Sequence, residues 1–96
     1  MVEIRQTPEF EAWLDGLAGD RALTKVLSRI SKMAEGSPGD WKSVGKGVLE
    51  SRINHGPGYR IYFTRRGNEL IMLLAGGDKS TQQGDIKLAQ KLAAGL

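Results

Sequence analysis

Apolar residues recur along this chain with two periods, and the switches between them mark out its elements. Phe10, Trp13, Leu14 and Leu17 fall at i, i+3, i+4 and i+7, the spacing that lays one apolar stripe along a helix. Thr7-Pro8 stands at its start. The Thr7 hydroxyl is placed to cap free N–H groups, and proline at the first helical position gives up no intrahelical bond. Glu9 and Glu11 lie where the helix dipole favours negative charge. Gly19-Asp20 interrupts the pattern and restarts it with Asp20 as the next cap. A second helix then runs to about residue 34, burying Leu23, Val26, Leu27, Ile30 and Met33 and turning Arg21, Lys25, Arg29 and Lys32 outward. Gly36 suits the left-handed position that ends helices. A linker of about two residues makes the pair an antiparallel helical hairpin.

Elsewhere the period is two. Residues 2–5 read as a short strand, and residues 36–40 (Gly-Ser-Pro-Gly-Asp) as loop. Residues 48–54 and 59–64 alternate around a Gly56-Pro57-Gly58 turn. Leu49, Ile53, Tyr59, Ile61 and Phe63 share one parity; Glu50, Arg52, Asn54, Arg60, Tyr62 and Thr64 share the other. Burying both apolar sets together requires even-with-even pairing, because a slip of one residue would turn the arginines into the core. Arg52, Arg60 and Tyr62 are therefore expected on one open sheet face, with Tyr59 in the core. Residues 65–68 read as a second turn. Residues 69–75 are apolar on both parities, as expected of a central strand covered on both sides. GGDKSTQQGD then leads, with Ser80 or Asp85 as cap, into a last helix carrying Ile86, Leu88, Ala89, Leu92 and Ala93. The order β-α-α-β-β-β-α predicts an α+β fold: helices covering one face of a small, mainly antiparallel sheet.

Length and composition fit one domain over residues 1–96 with an ordinary globular balance, 40% hydrophobic and 26% charged. The absence of cysteine excludes disulfides, thiolate metal sites and a thiol nucleophile, and is compatible with a reducing cytoplasm. A single histidine argues against a metal cluster. The first residues, MVEIRQTPEFEA, carry acids where an export signal needs an apolar core. The longest apolar run, residues 70–75, is far short of the roughly 20 that a membrane helix needs. Charge is what changes the picture. Residues 41–66 hold Lys42, Lys46, Arg52, Arg60, Arg65 and Arg66 against Glu50 alone, about +5, while the flanking stretches sum to about −2 and zero. A nearly neutral scaffold thus carries one cationic hairpin, which points to an anionic partner.

Three long stretches, EIRQTPEFEAWLDGL, VGKGVLESRINHGPGYRIYF and LLAGGDKSTQQGDIKLA, cover nearly the whole chain in order. They resemble the RelE/ParE superfamily of bacterial toxins, in particular its phage-derived addiction module killer branch, related to HigB-type toxins. The resemblance implies a RelE-like fold, a cytoplasmic toxin of a type II toxin–antitoxin pair, and neutralisation by a small antitoxin, often with a helix-turn-helix domain. RelE- and HigB-type members cut messenger RNA on the ribosome without metal or other cofactor; ParE-type members inhibit DNA gyrase instead. By the same resemblance Arg60 matches the arginine that holds the scissile phosphate, and Lys42 and Lys46 match lysines placed just before the hairpin. Lys79 falls where the RNA-cutting members keep a basic residue or a catalytic His or Tyr, and GGDKST has neither ring.

Cutting RNA by its own 2′-hydroxyl needs a base for that hydroxyl, positive charge on the pentavalent phosphate and an acid for the leaving oxygen. Arg60, Arg52 and Lys79 are the expected catalytic cations, and Lys42, Lys46 and Tyr62 the expected RNA contacts, Tyr62 by stacking a base. Each has a plainer reading: solvated sheet-face or loop charges, and a tyrosine filling a groove. Glu50 is either the arginines' counter-ion or a general base. His55 at the turn is an acid–base candidate or simple polar surface. Trp13 reads as core; Trp41 packs locally or meets a partner. Gly76-Gly77 is a candidate for close backbone approach to a phosphate or simply the end of a strand, and Asp78 reads as capping or pairing locally. A gyrase-binding inhibitor is the alternative to the RNA-cutting toxin, and a basic binding domain without toxicity is the third reading.

Overall fold

The computed structural model describes residues 1–37 and 39–96; Pro38, within the expected loop, lies outside the described residues. The chain runs β1 (Glu3–Gln6), α1 (Pro8–Asp15), α2 (Asp20–Ala34), β2 (Asp40–Gly45), β3 (Val48–Ile53), β4 (Tyr59–Arg66), β5 (Leu70–Gly77), a single 3-10 turn (Lys79–Thr81) and α3 (Gln82–Ala94). The strands form one sheet in the order β1-β5-β4-β3-β2. Among the described residues only the β1–β5 pair is parallel. The α+β class holds, with one strand more than the expected order. That strand is β2, in a stretch read as loop. It is an edge strand whose residues, Val44 apart, are exposed, so it needs no apolar alternation.

The hairpin pairs even positions with even ones, as expected, and its register sets Glu50 opposite Tyr62, Arg52 opposite Arg60, Leu49 opposite Phe63 and Ile53 opposite Tyr59. Its odd-numbered side packs with α1 and α2, joining Phe10, Val26 and Met33 to Ile53, Ile61, Phe63, Ile71 and Leu73. The even-numbered side is open only in part, around Arg52 and Asn54, and this corrects the one-face expectation. There α3 brings Ala89, Ile86 and Leu92 against Val48, Tyr62, Leu74 and Ala75. Helices therefore cover both faces. The doubly apolar β5, central between β1 and β4, is the element this arrangement needs.

A bulge in β5 lets it serve both layers. Its register against β4 jumps from Ala75 to Leu73. Leu73 then points to the α1/α2 layer, while Leu74 and Ala75 meet α3. Thr7 ties the bulge to α1. Its hydroxyl donates to the Leu74 carbonyl (2.6 Å) and accepts from the Phe10 N–H (3.0 Å), so one side chain fills the expected cap role and satisfies the bulge.

Other local expectations shift by a residue or a face. Gly19, not Asp20, precedes α2, without a side-chain cap, and Asp20 sits in the first turn. The α1–α2 linker spans residues 16–19 rather than two. Gly36 closes α2 as expected, with its N–H on the Met33 carbonyl and the next N–H on that of Lys32. Leu27 and Leu88 are exposed. Arg29, expected outward, reaches back to the sheet. Asp78, rather than Ser80 or Asp85, starts the C-terminal turn, in a reciprocal capping box with Thr81. No helix among the described residues is long and apolar enough to cross a membrane.

Candidate functional site

The site is built on the even-numbered side of β3 and β4, beyond the edge of α3. Cross-strand pairing stacks Asp40, Arg52 and Arg60 in neighbouring positions of three adjacent strands. An open pocket of about 230 Å³ lies over them, lined by Asp40, Arg52, Asn54, Gly58, Arg60 and Lys79. The three expected catalytic cations thus meet in one place, although Lys79 is 19 residues from Arg60 in sequence.

Gly58 explains how Lys79 gets there. It is buried at a φ of 80° in the β3–β4 turn, and an added Cβ would stand 3.1–3.2 Å from the Lys79 side-chain carbons. The lysine stem lies along that bare backbone, which seats its ammonium at the pocket rim. Arg52 is held from the other side of the sheet. Arg29 of α2 donates to the Arg52 carbonyl (2.6 Å) and to the Ser51 hydroxyl (2.8 Å). Gly39, next to Asp40, packs against the same guanidinium.

Beneath the pocket sits a buried charge cluster. The Glu50 side chain is 0% exposed, Arg60 9% and Arg52 37%. Glu50 Oε1 stands 3.4 Å from Arg52 Nε and 3.9 Å from Arg60 Nε, and Glu50 Oε2 accepts from Gln82 Nε2 at 2.9 Å. Glu50 is thereby a counter-ion, closed off from solvent behind the arginines. The cluster is only partly satisfied: Glu50 Oε1, Arg52 Nε, Arg60 Nε and the Tyr62 hydroxyl are buried without a hydrogen bond of good geometry. Tyr62 faces Glu50 across the strands. Burial, helped by the negative charges of Glu50 and Asp85 and opposed by Arg60, pushes its phenol well above the usual tyrosine range. It stays neutral.

The expected RNA contacts do not join this pocket. Tyr62 is 0% exposed under α3, so it presents no ring face to a base, and the stacking role is withdrawn. Lys42 pairs with Glu50 on the edge strand and shares the site's face, but it lies outside the pocket. Lys46 is in the tight β2–β3 turn at a φ of 56°, at the far end of β3 from Arg52. His55 stacks on Tyr59 (ring centroids 6.5 Å) and lines a different depression of about 450 Å³ with Arg21 and Lys25. A third depression, of about 390 Å³, gathers Arg5, Arg65 and Arg66 at another part of the surface. Both are larger, but neither is lined by a buried charge; of the three, the smaller pocket has one, Arg60.

Gly76 and Gly77 serve packing rather than phosphate approach. A Cβ at Gly76 would collide with the Trp13 ring, and one at Gly77 with the Asp85 carboxylate and Thr81 hydroxyl. Asp78 caps as expected: it accepts from the Ser80 N–H (2.8 Å) and the Ser80 hydroxyl, and these bonds lower its pKa below the usual carboxylate value. Tyr59 and Trp13 pack against the α1/α2 core, and Trp41 is 48% exposed on β2. Three site residues carry no motif signal: Asn54, Gln82 and Asp40. Asp40 was hidden with its strand. Among the described residues, no three His, Cys, Asp or Glu side chains converge as a metal site.

No protein-family model matches the chain. A protein of Haemophilus influenzae, described as uncharacterized, is 45% identical over 95 residues, which cover 99% of this chain and 96% of that relative. At that identity over nearly the full length of both, the chain belongs to the same family as this Haemophilus influenzae protein.

Proposed function

We propose that the protein is the toxin of a type II toxin–antitoxin module, of the RelE/ParE superfamily, and that it cleaves messenger RNA on the ribosome. The observation that carries this reading is the convergence of Arg52, Arg60 and Lys79 on one open pocket. The Nε groups of both arginines are turned to a buried carboxylate, an arrangement that leaves guanidinium donors for a phosphate. Partly satisfied charges under an open pocket are the expected mark of a working site, since structure alone favours full pairing. The element order supports the finer fold assignment too: β-α-α, an antiparallel run and a C-terminal helix resemble the RelE-like order, with β2 as an added edge strand.

On this reading Arg60 and Arg52 bind the scissile phosphate and stabilise charge as it develops there, with Lys79 beside the leaving oxygen. Lys42, exposed on the same face, contacts RNA flanking the pocket, and Lys46 contributes long-range attraction only. The partners are the messenger, the ribosome and a cognate antitoxin of helix-turn-helix type, in the cytoplasm. A gyrase-directed inhibitor is the second reading, favoured by one observation: no imidazole or phenol lines the pocket among its described residues.

The test is toxicity on induction for the parent, Lys79→Ala and Arg60→Ala. Lys79 is exposed, so its loss leaves the fold intact; Arg60 is half of a buried pair, so its variant is checked for native circular dichroism. Both variants are expected to lose toxicity while still binding the antitoxin. Full toxicity in both sinks the site assignment, and supercoiling inhibition with intact messages moves the function to gyrase.

A further inference from the structure

The geometry points to Asp40 as the catalytic base of the pocket, the group that takes the proton from the 2′-hydroxyl of the bound nucleotide. This rests on the RNA-cutting reading and supplies the proton acceptor that reading lacks. Of the six described residues lining the pocket, Asp40, Arg52, Asn54, Gly58, Arg60 and Lys79, only Asp40 carries a carboxylate that can accept a proton.

The other candidates are engaged elsewhere. Glu50 is fully buried, bonded to Gln82 and flanked by both arginines. His55 lines a separate depression beside α2. Tyr62 is buried and holds its proton. Asp78 caps the turn before α3, and Asp85 accepts from the Thr81 hydroxyl.

Asp40, by contrast, is both placed and free. It pairs directly with Arg52 across the β2–β3 ladder, so the two side chains share a face with Cβ atoms about 5 Å apart. A phosphate held by Arg52 therefore brings the adjoining ribose towards Asp40. The Asp40 side chain makes no hydrogen bond or ion pair with another described residue, so its lone pairs are available. Its backbone is braced by the β3 pairing and by Gly39 packing on Arg29, which itself holds the Arg52 carbonyl. Arg52, Arg60 and Lys79 against Asp40 and the buried Glu50 still leave about one net positive charge for a phosphodiester.

The step balances without a co-reactant. Asp40 takes the 2′-hydroxyl proton, O2′ bonds to phosphorus, and the bond from phosphorus to O5′ breaks as Lys79 protonates O5′. The products are a 2′,3′-cyclic phosphate and a 5′-hydroxyl end. Solvent then returns Asp40 and Lys79 to their starting protonation.

The test is single-turnover cleavage of ribosome-bound messenger and of free single-stranded RNA across pH, comparing the parent with Asp40→Asn and Asp40→Glu. Asp40→Asn should be slower at neutral pH by about 10²-fold or more. Its rate should keep climbing with pH as hydroxide substitutes for the carboxylate, where the parent levels off. Asp40→Glu should recover part of the rate, and both should bind a non-cleavable 2′-deoxy oligonucleotide at least as tightly as the parent does. An unchanged rate in Asp40→Asn overturns the assignment. So does a loss by one constant factor at every pH, which would make Asp40 a counter-ion of Arg52. A parent that cleaves neither substrate overturns the RNA-cutting reading itself, and this assignment with it.

Discussion

Replacing Glu50 by leucine should reveal how much of this small fold depends on the buried charge cluster beneath the pocket. Glu50 Oε1 lies 3.4 Å from Arg52 Nε and 3.9 Å from Arg60 Nε. At an effective dielectric of about 20, each contact is worth roughly 4–5 kcal/mol before desolvation is subtracted. The two arginines then part company. Arg52 is 37% exposed, so solvent takes over much of its stabilisation when the carboxylate goes. Arg60 is 9% exposed, and a buried charge left alone costs about 3–5 kcal/mol. A 96-residue domain has a typical total stability of about 5–14 kcal/mol, so Glu50→Leu should remove a large fraction of it. Arg60→Met should destabilise by less, since Arg52 and Gln82 still hold Glu50. The double variant should be more stable than Glu50→Leu alone, with a coupling of about 2 kcal/mol or more, because removing both charges leaves neither stranded. Urea unfolding of all four proteins, monitored by circular dichroism, measures the cycle. A loss under about 1 kcal/mol for Glu50→Leu, or strict additivity, would refute the buried-pair account.

Two further predictions follow from packing and from titration. Gly76→Ala places a methyl group against the Trp13 ring and should lower stability by about 1–3 kcal/mol, with much of the loss recovered in a Gly76→Ala/Trp13→Leu double variant; equal unfolding midpoints for Gly76→Ala and the parent would contradict the packing account. Tyr62, buried beside Glu50, has its pKa raised above the ordinary 10.0, so the stability it contributes is complete below that pH and declines as pH rises beyond it. Folded Tyr59→Phe should accordingly show no phenolate absorbance near pH 10, and the parent should lose stability above that pH more steeply than Tyr62→Phe does. Ordinary titration of Tyr62 in the folded protein would refute this.

What could be read in the sequence divides along physical lines. The parity of the hairpin pairing was legible because the charged and apolar sets sit on opposite parities, and a one-residue slip would bury arginines. The same parity argument put Arg52 and Arg60 on one face, and the structure makes them direct cross-strand partners. It could not say what lies above them: α3 carries an apolar stripe, but periodicity does not name the sheet face that receives it. The one clue, β5 apolar on both parities, implied a second covering layer, which makes Tyr62 core rather than surface. Strand β2 was not legible, since an exposed edge strand such as DWKSVG needs no alternating apolar residues, and Asp40 was lost with it. Arg29 lies at an outward helical position, yet its long side chain folds back onto β3. Lys79 entered through resemblance to a toxin family, while the geometric reason for its place, the bare backbone of Gly58, belongs to the tertiary structure.

The central claim is that this pocket cuts messenger RNA, and mapping 5′ ends in total RNA after brief induction tests it most directly. Parent, Lys79→Ala and Arg60→Ala would be compared in the same host. Discrete new ends inside open reading frames are expected in the parent and not in Lys79→Ala or Arg60→Ala. Arrested growth with uncut messages, or the same new ends in all three strains, would contradict it.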